Sequence, residues 1–188
     1  MTLNSRRYGT AAIAGVAAFA LSYVLIYALT ISTVRDSLLT GVAEAFGDEG
    51  ADWKIVGWLF FNAQFVTTTL TVDIPLFGGT DAVNFITESD SLSPVLYLLP
   101  PALLTAAGLA TARLNGVTET ADALKVGPAV ALGYLPLSVV GALVFAISLG
   151  ESSGGSPTLL TAVVLAGVVY PVVFGAVGAV AGAVLADD

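Results

Sequence analysis

The chain has 188 residues, of which 56% are hydrophobic and 11% are charged, and its mean hydropathy is +0.91. Because a soluble domain carries about 25% charged residues, this composition excludes a water-soluble globule. Fourteen acidic residues against six basic ones give a net charge of −8, which argues against nucleic acid or an anionic surface as a partner. The sequence has no cysteine or histidine, so disulfides, thiolate chemistry and Cys/His metal sites are excluded as well.

The first long apolar stretch predicts a transmembrane helix over residues 8–34, after a cytoplasmic N-terminus at 1–7. Ser5-Arg6-Arg7 before an apolar run is also typical of a twin-arginine export signal. The run, however, continues far beyond the roughly 7 to 15 apolar residues of a signal peptide, and Gly9 stands where such signals carry a bulky residue. We therefore interpret the stretch as a membrane-spanning helix.

Residues 55–72 are nearly long enough to cross a membrane, since about 20 apolar residues are needed. If they crossed, four of the six basic residues would face outward; if they did not, four of the six would be cytoplasmic, as the positive-inside rule requires. Residues 66–74 alternate apolar with polar side chains, which predicts a strand that cannot face lipid. We therefore predict that 55–72 does not cross and that 35–91 is an extracytosolic insertion.

The insertion contains several predicted elements. Residues 36–46 have the spacing of an amphipathic helix, and 47–52 form a charged turn. Residues 53–65 are apolar on nearly every side, which favours a helix in the headgroup region or plugged against the bundle. Residues 80–88 fit either the second strand of a hairpin or a short helix, and the pattern does not decide between them.

The remaining pattern completes an all-α integral membrane bundle, with four transmembrane helices and a small mixed α/β extracytosolic insertion between the first and second. The further segments are predicted helices at 92–112, 126–149 and 158–186, a cytoplasmic loop at 113–125, an external loop at 150–157 and a cytoplasmic C-terminus at 187–188. This topology predicts a multipass protein of the cell membrane with both termini in the cytoplasm.

Small residues recur at intervals of about four along the predicted helices. In lipid there is little hydrophobic drive between helices, so close packing depends on such residues. The candidate packing residues of the last helix are Gly167, Gly175, Gly178 and Gly182. We expect them to pack helices within one chain, with a homo-oligomer face as the alternative.

The predicted spans carry no charge, because the charged residues all fall at helix ends or in loops. Intramembrane charges usually mark proton relays, ion paths or catalytic sites, since they are costly to keep in lipid. The sequence also contains no P-loop, no dinucleotide fingerprint and no residue set of an intramembrane protease. We therefore predict no enzyme activity, no catalytic residue, no metal site and no cofactor.

The most unusual local cluster comprises Trp53, Lys54, Trp58, Asn62 and Gln64. One interpretation is a surface that binds a protein partner or a ligand, with the lysine near many carboxylates and the amides as hydrogen-bonding groups. The other is an aromatic anchor at the membrane interface, with a snorkelling lysine and two satisfied amides.

The stretch WKIVGWLFFNAQFV (53–66), an Ala/Gly-rich first helix and a second helix bearing Pro100-Pro101 resemble uncharacterised multipass membrane proteins of haloarchaea. The acidic, lysine-poor composition suits high salt, where charge repulsion is screened within a few Å. The resemblance implies a halophilic, archaeal membrane setting and brings no activity, cofactor or site residue with it.

These patterns lead to a prediction of function. We expect a non-catalytic integral membrane protein of the cell envelope, a scaffold or accessory subunit whose external insertion meets a protein partner while lipids surround the helices. The alternative is a component of an oligomeric small-solute transporter or channel, because four helices per chain need to assemble to enclose a path.

Overall fold

The computed structural model describes residues 2–37, 50–72, 78–149 and 153–186. In chain order its elements are α1 (Thr2–Arg35), α2 (Asp52–Asn62), β1 (Thr68–Val72), β2 (Gly79–Val83), α3 (Phe85–Glu88), α4 (Pro94–Leu114), α5 (Thr120–Val144), β3 (Ile147–Leu149), β4 (Ser153–Pro157) and α6 (Leu159–Val184). The helices α1, α4, α5 and α6 form a bundle. Within the described residues these four are long and apolar enough to cross a membrane, which confirms the prediction of four such helices rather than five.

Proline changes the local geometry of the bundle helices without ending them. A short 3-10 stretch, Gly127–Val130, interrupts α5 at Pro128, and a wider π-helical stretch, Ala162–Val169, precedes Pro171 in α6. Because proline has no N–H, the carbonyl one turn earlier loses its usual donor, and the helix tightens or widens around it.

The third long helix differs from its prediction at both ends. It begins at Thr120, inside the predicted loop 113–125, and it ends at Val144 rather than at 149. Residues 147–149 form β3 instead and pair with β4. A short apolar run is compatible with a helix or a buried strand, so periodicity alone could not decide this end. The other long helices agree with their predicted bounds within two residues, except that α1 begins already at Thr2.

The segment 55–72 folds as the end of a short helix followed by a strand. With 11 residues, α2 is about 16 Å long, roughly half of the hydrocarbon thickness. The backbone N–H of Phe65 donates to the Asn62 carbonyl and that of Val66 donates to the Phe61 carbonyl, which closes α2 in a Schellman-type turn. In this turn Phe65 adopts φ +58°, and β1 then follows in the predicted strand region.

The strands form one antiparallel sheet in the order β2-β1-β4-β3. β1 pairs with β2 on one side and with β4 on the other, where Thr68 lies opposite Pro157. The insertion and the connection between α5 and α6 therefore share a sheet, and the predicted external loop 150–157 is largely a strand. Serine and glycine have low strand propensity, so the sequence SGGSP gave no strand signal.

Both alternatives for residues 80–88 occur, one after the other. β2 completes a hairpin with β1, and α3 starts immediately behind Asn84. The Asn84 side chain accepts a hydrogen bond from the Ile86 backbone N–H at 3.1 Å, so it caps this short helix.

Part of the predicted insertion lies outside the described residues. This part includes residues 38–46 of the predicted helix 36–46 and residues 47–49 of the predicted turn 47–52. The predicted C-terminus at 187–188 lies outside them as well.

The four candidate packing glycines of α6 are buried against neighbouring helices of the same chain. Their contacts are Gly167 with Leu135, Gly175 with Gly127, Gly178 with Thr105 and Gly182 with Leu109. A Cβ atom on Gly178 would overlap the Thr105 carbonyl oxygen, and one on Gly175 would lie 2.5 Å from the Gly127 carbonyl oxygen. The glycines thus let backbones touch, which is how helices pack where hydrophobic drive is weak.

A second close contact joins α1 to α5 through glycines that the sequence analysis did not single out. A Cβ atom on Gly133 would overlap the Ala12 carbonyl oxygen, and one on Gly15 would overlap the Val130 carbonyl oxygen. The two glycines lie on facing helices, so each makes room for the other backbone.

Candidate functional site

The short elements α2, α3 and β1–β4 form a cap on the end of the bundle opposite the chain termini. Trp58 of α2 joins this cap to α5. Its indole Nε1 donates to the Phe145 carbonyl at 2.7 Å, one of the orphan carbonyls at the end of a helix. Its ring stacks on Phe85 at 6.0 Å and covers Gly155, where a Cβ atom would lie 2.6 Å from the indole. Trp58 is therefore a buried junction residue.

Asn62, the last residue of α2, ties three segments of the cap together. Its Nδ2 donates to the Val66 carbonyl at 2.8 Å, and its Oδ1 accepts from the Phe85 backbone N–H at 2.9 Å. Its own carbonyl accepts from the Asn84 side chain at 3.3 Å. The residue is fully buried, so the amide serves the turn, β1 and α3 rather than a surface.

Gln64 links the same turn to the bundle. Its Nε2 donates to the Phe60 carbonyl at 3.1 Å, and its Oε1 accepts from the Tyr134 hydroxyl of α5 at 2.9 Å. Both Gln64 and Tyr134 are fully buried. Pairing satisfies groups that would be costly to bury alone.

Trp53 and Lys54 lie at the start of α2, where the cap meets α1. The Trp53 carbonyl accepts from the Tyr23 hydroxyl at 3.0 Å, and the Lys54 Nζ lies 5.8 Å from the centroid of the Trp53 ring. Beside them, Arg35 Nε lies 2.8 Å from Asp52 Oδ2. Trp53 is 38% exposed, so this edge reaches the surface while the rest of α2 does not.

An aromatic cluster around Phe145 fills the space between α2 and the bundle. Its ring lies on Gly57, where any Cβ atom would overlap it. Tyr23 stacks on the Phe145 ring at 5.4 Å, and Phe61 meets it edge-on at 6.2 Å. The contact between Phe145 and Gly57 was not predicted. The one local signal for it in the sequence is the position of Gly57, four residues from both Trp53 and Phe61.

The five predicted site residues all lie where the cap meets the bundle, but they do not form a common exposed surface. Trp58, Asn62 and Gln64 are buried with internal hydrogen-bond partners, and only the edge at Trp53 and Lys54 approaches solvent. In the part of the chain that the structure describes, no group of three acidic side chains is arranged to hold a metal ion.

Acidic groups dominate the exposed side of the cap. Asp81 on β2, Glu88 at the end of α3 and Asp90 just beyond it are all exposed. The sequence from 55 to 112 contains no lysine or arginine, so this stretch supplies no positive charge to offset them.

At the opposite end of the bundle, basic side chains lie close to one another and to the helix ends. Arg7 Nη1 lies 3.7 Å from Asp122 Oδ2, and Lys125 Nζ lies 3.0 Å from Asp122 Oδ1. Arg113 Nε donates to the Gly182 carbonyl at 3.1 Å, which suits the partial negative charge at the end of α6. Basic residues thus gather where the helices α1 and α5 begin and where α4 and α6 end.

The protein is a helical bundle with a short buried helix and a small antiparallel sheet at one end. Its four long helices are compatible, by length and composition, with a multipass membrane protein. The chain belongs to a family of unknown function, DUF7978, whose model matches residues 2–186. This agrees with the predicted resemblance to an uncharacterised family. The chain has no match among curated proteins or among solved structures.

Proposed function

We propose that this protein is a non-catalytic integral protein of the cell membrane that acts as a scaffold or accessory subunit, with the cap as its partner-binding surface. The observation that carries the proposal is the contrast within the cap: its inner polar groups are satisfied internally, while the exposed carboxylates of Asp81, Glu88 and Asp90 on its outer side make no ion pair with a described residue. A predominantly acidic surface favours docking of a partner with complementary positive charge.

The placement of basic residues supports an orientation for the proposal. Of the six basic residues, four lie at the end with the chain termini, at Arg6, Arg7, Arg113 and Lys125. The positive-inside rule then places this end in the cytoplasm and the cap outside the cell.

The internal bonds of the cap support a platform rather than a mobile gate. Trp58, Asn62 and Gln64 connect α2 and the turn after it to α5 and α3 by hydrogen bonds of 2.7 to 2.9 Å. The Asn62 Nδ2 also donates to Thr68 Oγ1 of β1 at 3.3 Å. Removing any of these partners would leave a buried polar group unpaired. The start of α3, the short helix that bears Glu88, is therefore held to α2, and the turn after α2 is held to α5.

The test is a charge reversal on the cap compared with the same reversal at the other end. Glu88 and Glu119 are both exposed, so Glu88→Lys and Glu119→Lys change the charge equally and cost little packing. We expect the wild-type chain, purified from its native membranes, to retain a protein in equimolar amount. Glu88→Lys releases it, and Glu119→Lys does not.

Two results would contradict the scaffold proposal. The first is a wild-type chain that retains no protein in equimolar amount. The second is an equal loss of the retained protein in both variants, because the cap would then have no special part in the contact.

The alternative is a component of an oligomeric transporter or channel, and one observation favours it. The Ser22 hydroxyl of α1 is fully buried in a long apolar helix and lies beside the Tyr134 side chain. It lies one turn from Phe19, whose ring packs against Tyr134, so it belongs to the polar region around Gln64. Flux of a small solute into proteoliposomes containing the pure protein, abolished by Ser22→Ala, would favour this function over the scaffold.

A further inference from the structure

A crevice of about 280 Å3 lies between the start of α1 and the start of α5, at the end of the bundle opposite the cap. Its walls are formed by Arg7, Tyr8, Asp122, Lys125 and Val126. The fold thus brings two cations from distant parts of the chain together around a single carboxylate. The crevice is locally positive although the chain as a whole carries a charge of −8.

The two cations retain free hydrogen-bonding capacity in this arrangement. Among the described residues, Asp122 is the only carboxylate within 4 Å of either, at 3.7 Å from Arg7 and 3.0 Å from Lys125. A guanidinium has five N–H donors and an ammonium has three, so most of their donors remain available to a second anion. Both side chains are open to solvent on their outer side, with 35% of Arg7 and 69% of Lys125 exposed.

The surroundings of the crevice favour an anionic group that is attached to something apolar. Tyr8 is 44% exposed and Leu124, one residue before Lys125, is 54% exposed, so apolar surface continues from the crevice along the helices. Glu119 makes no side-chain cap at the start of α5, so its carboxylate does not occupy the first N–H groups of that helix. Basic pockets between membrane helices on the cytoplasmic side are suited to the headgroups of anionic lipids.

We propose that this crevice binds the phosphate of an anionic membrane lipid, held by Arg7 and Lys125. Asp122 positions the two cations and competes with the phosphate for them. The proposal rests on the proposed membrane location and is independent of the partner at the cap. It departs, at one local site, from the expectation from net charge that an anionic surface is not a partner.

The first experiment measures lipid binding to the full chain in an uncharged detergent. Phosphatidylglycerol and phosphatidylcholine with the same acyl chains serve as probes, and native mass spectrometry counts the bound molecules. We expect one phosphatidylglycerol to bind per chain at least tenfold more tightly than phosphatidylcholine, with an affinity that falls as salt rises.

Single substitutions then locate the site. Arg7→Gln and Lys125→Gln each weaken phosphatidylglycerol binding about tenfold, because each removes one of two cations that face the same phosphate. Arg6→Gln is the matched control: it removes the same charge from the neighbouring position, which does not line the crevice, and it changes the affinity less than about twofold. Asp122→Asn tightens binding several-fold, since it removes the competing anion.

The variant Asp122→Asn keeps the test decisive if an Arg7 or Lys125 variant does not fold, because a gain of affinity requires folded protein. Three results would overturn the proposal: Arg6→Gln weakens binding as much as Arg7→Gln, Asp122→Asn does not tighten it, or phosphatidylcholine binds equally well. If inorganic phosphate alone binds and protects the protein from heat as well as phosphatidylglycerol does, a lipid is not the ligand. The partner experiment at Glu88 is unaffected by any of these outcomes.

Discussion

Along the contact between α4 and α6, glycines let two backbones touch, whereas at the junction between the cap and the bundle side chains donate and accept hydrogen bonds. Gly178 leaves no room for a Cβ atom beside Thr105, while Trp58 and Asn62 reach their partners at 2.7 to 2.9 Å. The glycine contact depends on the lack of a Cβ atom, whereas the junction depends on polar side-chain atoms that make hydrogen bonds. We therefore expect the glycine contact to fail when atoms are added, and the junction to fail when polar atoms are removed.

The largest effect is expected from Gly178→Ala. The new methyl group would overlap the Thr105 carbonyl oxygen, a backbone atom that cannot rotate away, so α6 has to move from α4. We expect a loss of about 3 kcal/mol in the free energy of unfolding, measured by reversible unfolding in mixed micelles. Gly9→Ala is the control, because no atom lies within 4 Å of its Cβ position, and it should be neutral or stabilise α1. Equal stability of the two variants would show that the glycine contact is loose.

The next effect is expected from Asn62→Ala. It leaves the Val66 carbonyl and the Phe85 N–H without their amide partner in a buried turn, which costs about 2 kcal/mol. Asn115→Ala is the control, since among the described residues that amide has one side-chain bond, to the Thr111 carbonyl at 2.7 Å, at the opposite end of the bundle. If both variants lose the same stability, the hydrogen bonds of Asn62 do not hold the cap.

A smaller effect is expected from Trp58→Phe, which removes the indole donor to Phe145 and keeps an aromatic ring. The loss should be about 1 kcal/mol. The same change also removes the indole atoms that a methyl group at Gly155 would meet at 2.6 and 2.9 Å. Gly155→Ala should therefore be clearly destabilising in the wild-type chain and less so in the Trp58→Phe chain, where the Leu70 Cδ2 at 2.8 Å is the close contact that stays and can rotate away. A double-mutant cycle measures this coupling, and purely additive effects would contradict the packing of Trp58 on β4.

These two regions also differ in how far the sequence could predict them. The small-residue stripe of α6 is visible in the sequence because it repeats along one helix, and three of its four members, Gly175, Gly178 and Gly182, face a neighbouring backbone. The number of long helices follows from apolar length together with the placement of basic residues. The small-residue repeat and the apolar length of each helix can be recognised from neighbouring residues alone, so they can be predicted without knowledge of the fold.

The cap depends on contacts between residues far apart in the sequence. Asn62 and Gln64 were recognisable as unusual polar residues in an apolar stretch, but the partner of Gln64, Tyr134, is separated from it by 70 positions. β4 is a strand because β1 and β3 pair with it, and Gly155 leaves space for an indole that comes from α2. No local pattern in SGGSP contains that information, so the strand at Ser153–Pro157 could not be predicted from the sequence.

The smallest effect is expected from Phe65→Gly. This substitution tests whether the Phe65–Tyr97 stack compensates for the unfavourable backbone conformation of Phe65. Phe65 has φ +58°, which costs a side-chain-bearing residue about 1 to 2 kcal/mol, and its ring stacks on Tyr97 at 4.7 Å, which returns about 0.5 to 1.5 kcal/mol. The substitution removes both terms, so the net change in the wild-type chain should be close to zero. In a Tyr97→Leu chain the stack is already absent, and Phe65→Gly should then stabilise by about 1 kcal/mol. Destabilisation in both chains would mean that the Phe65 ring has a further contact role, and the turn would then resemble the junction at Trp58 more than the glycine contact of α6.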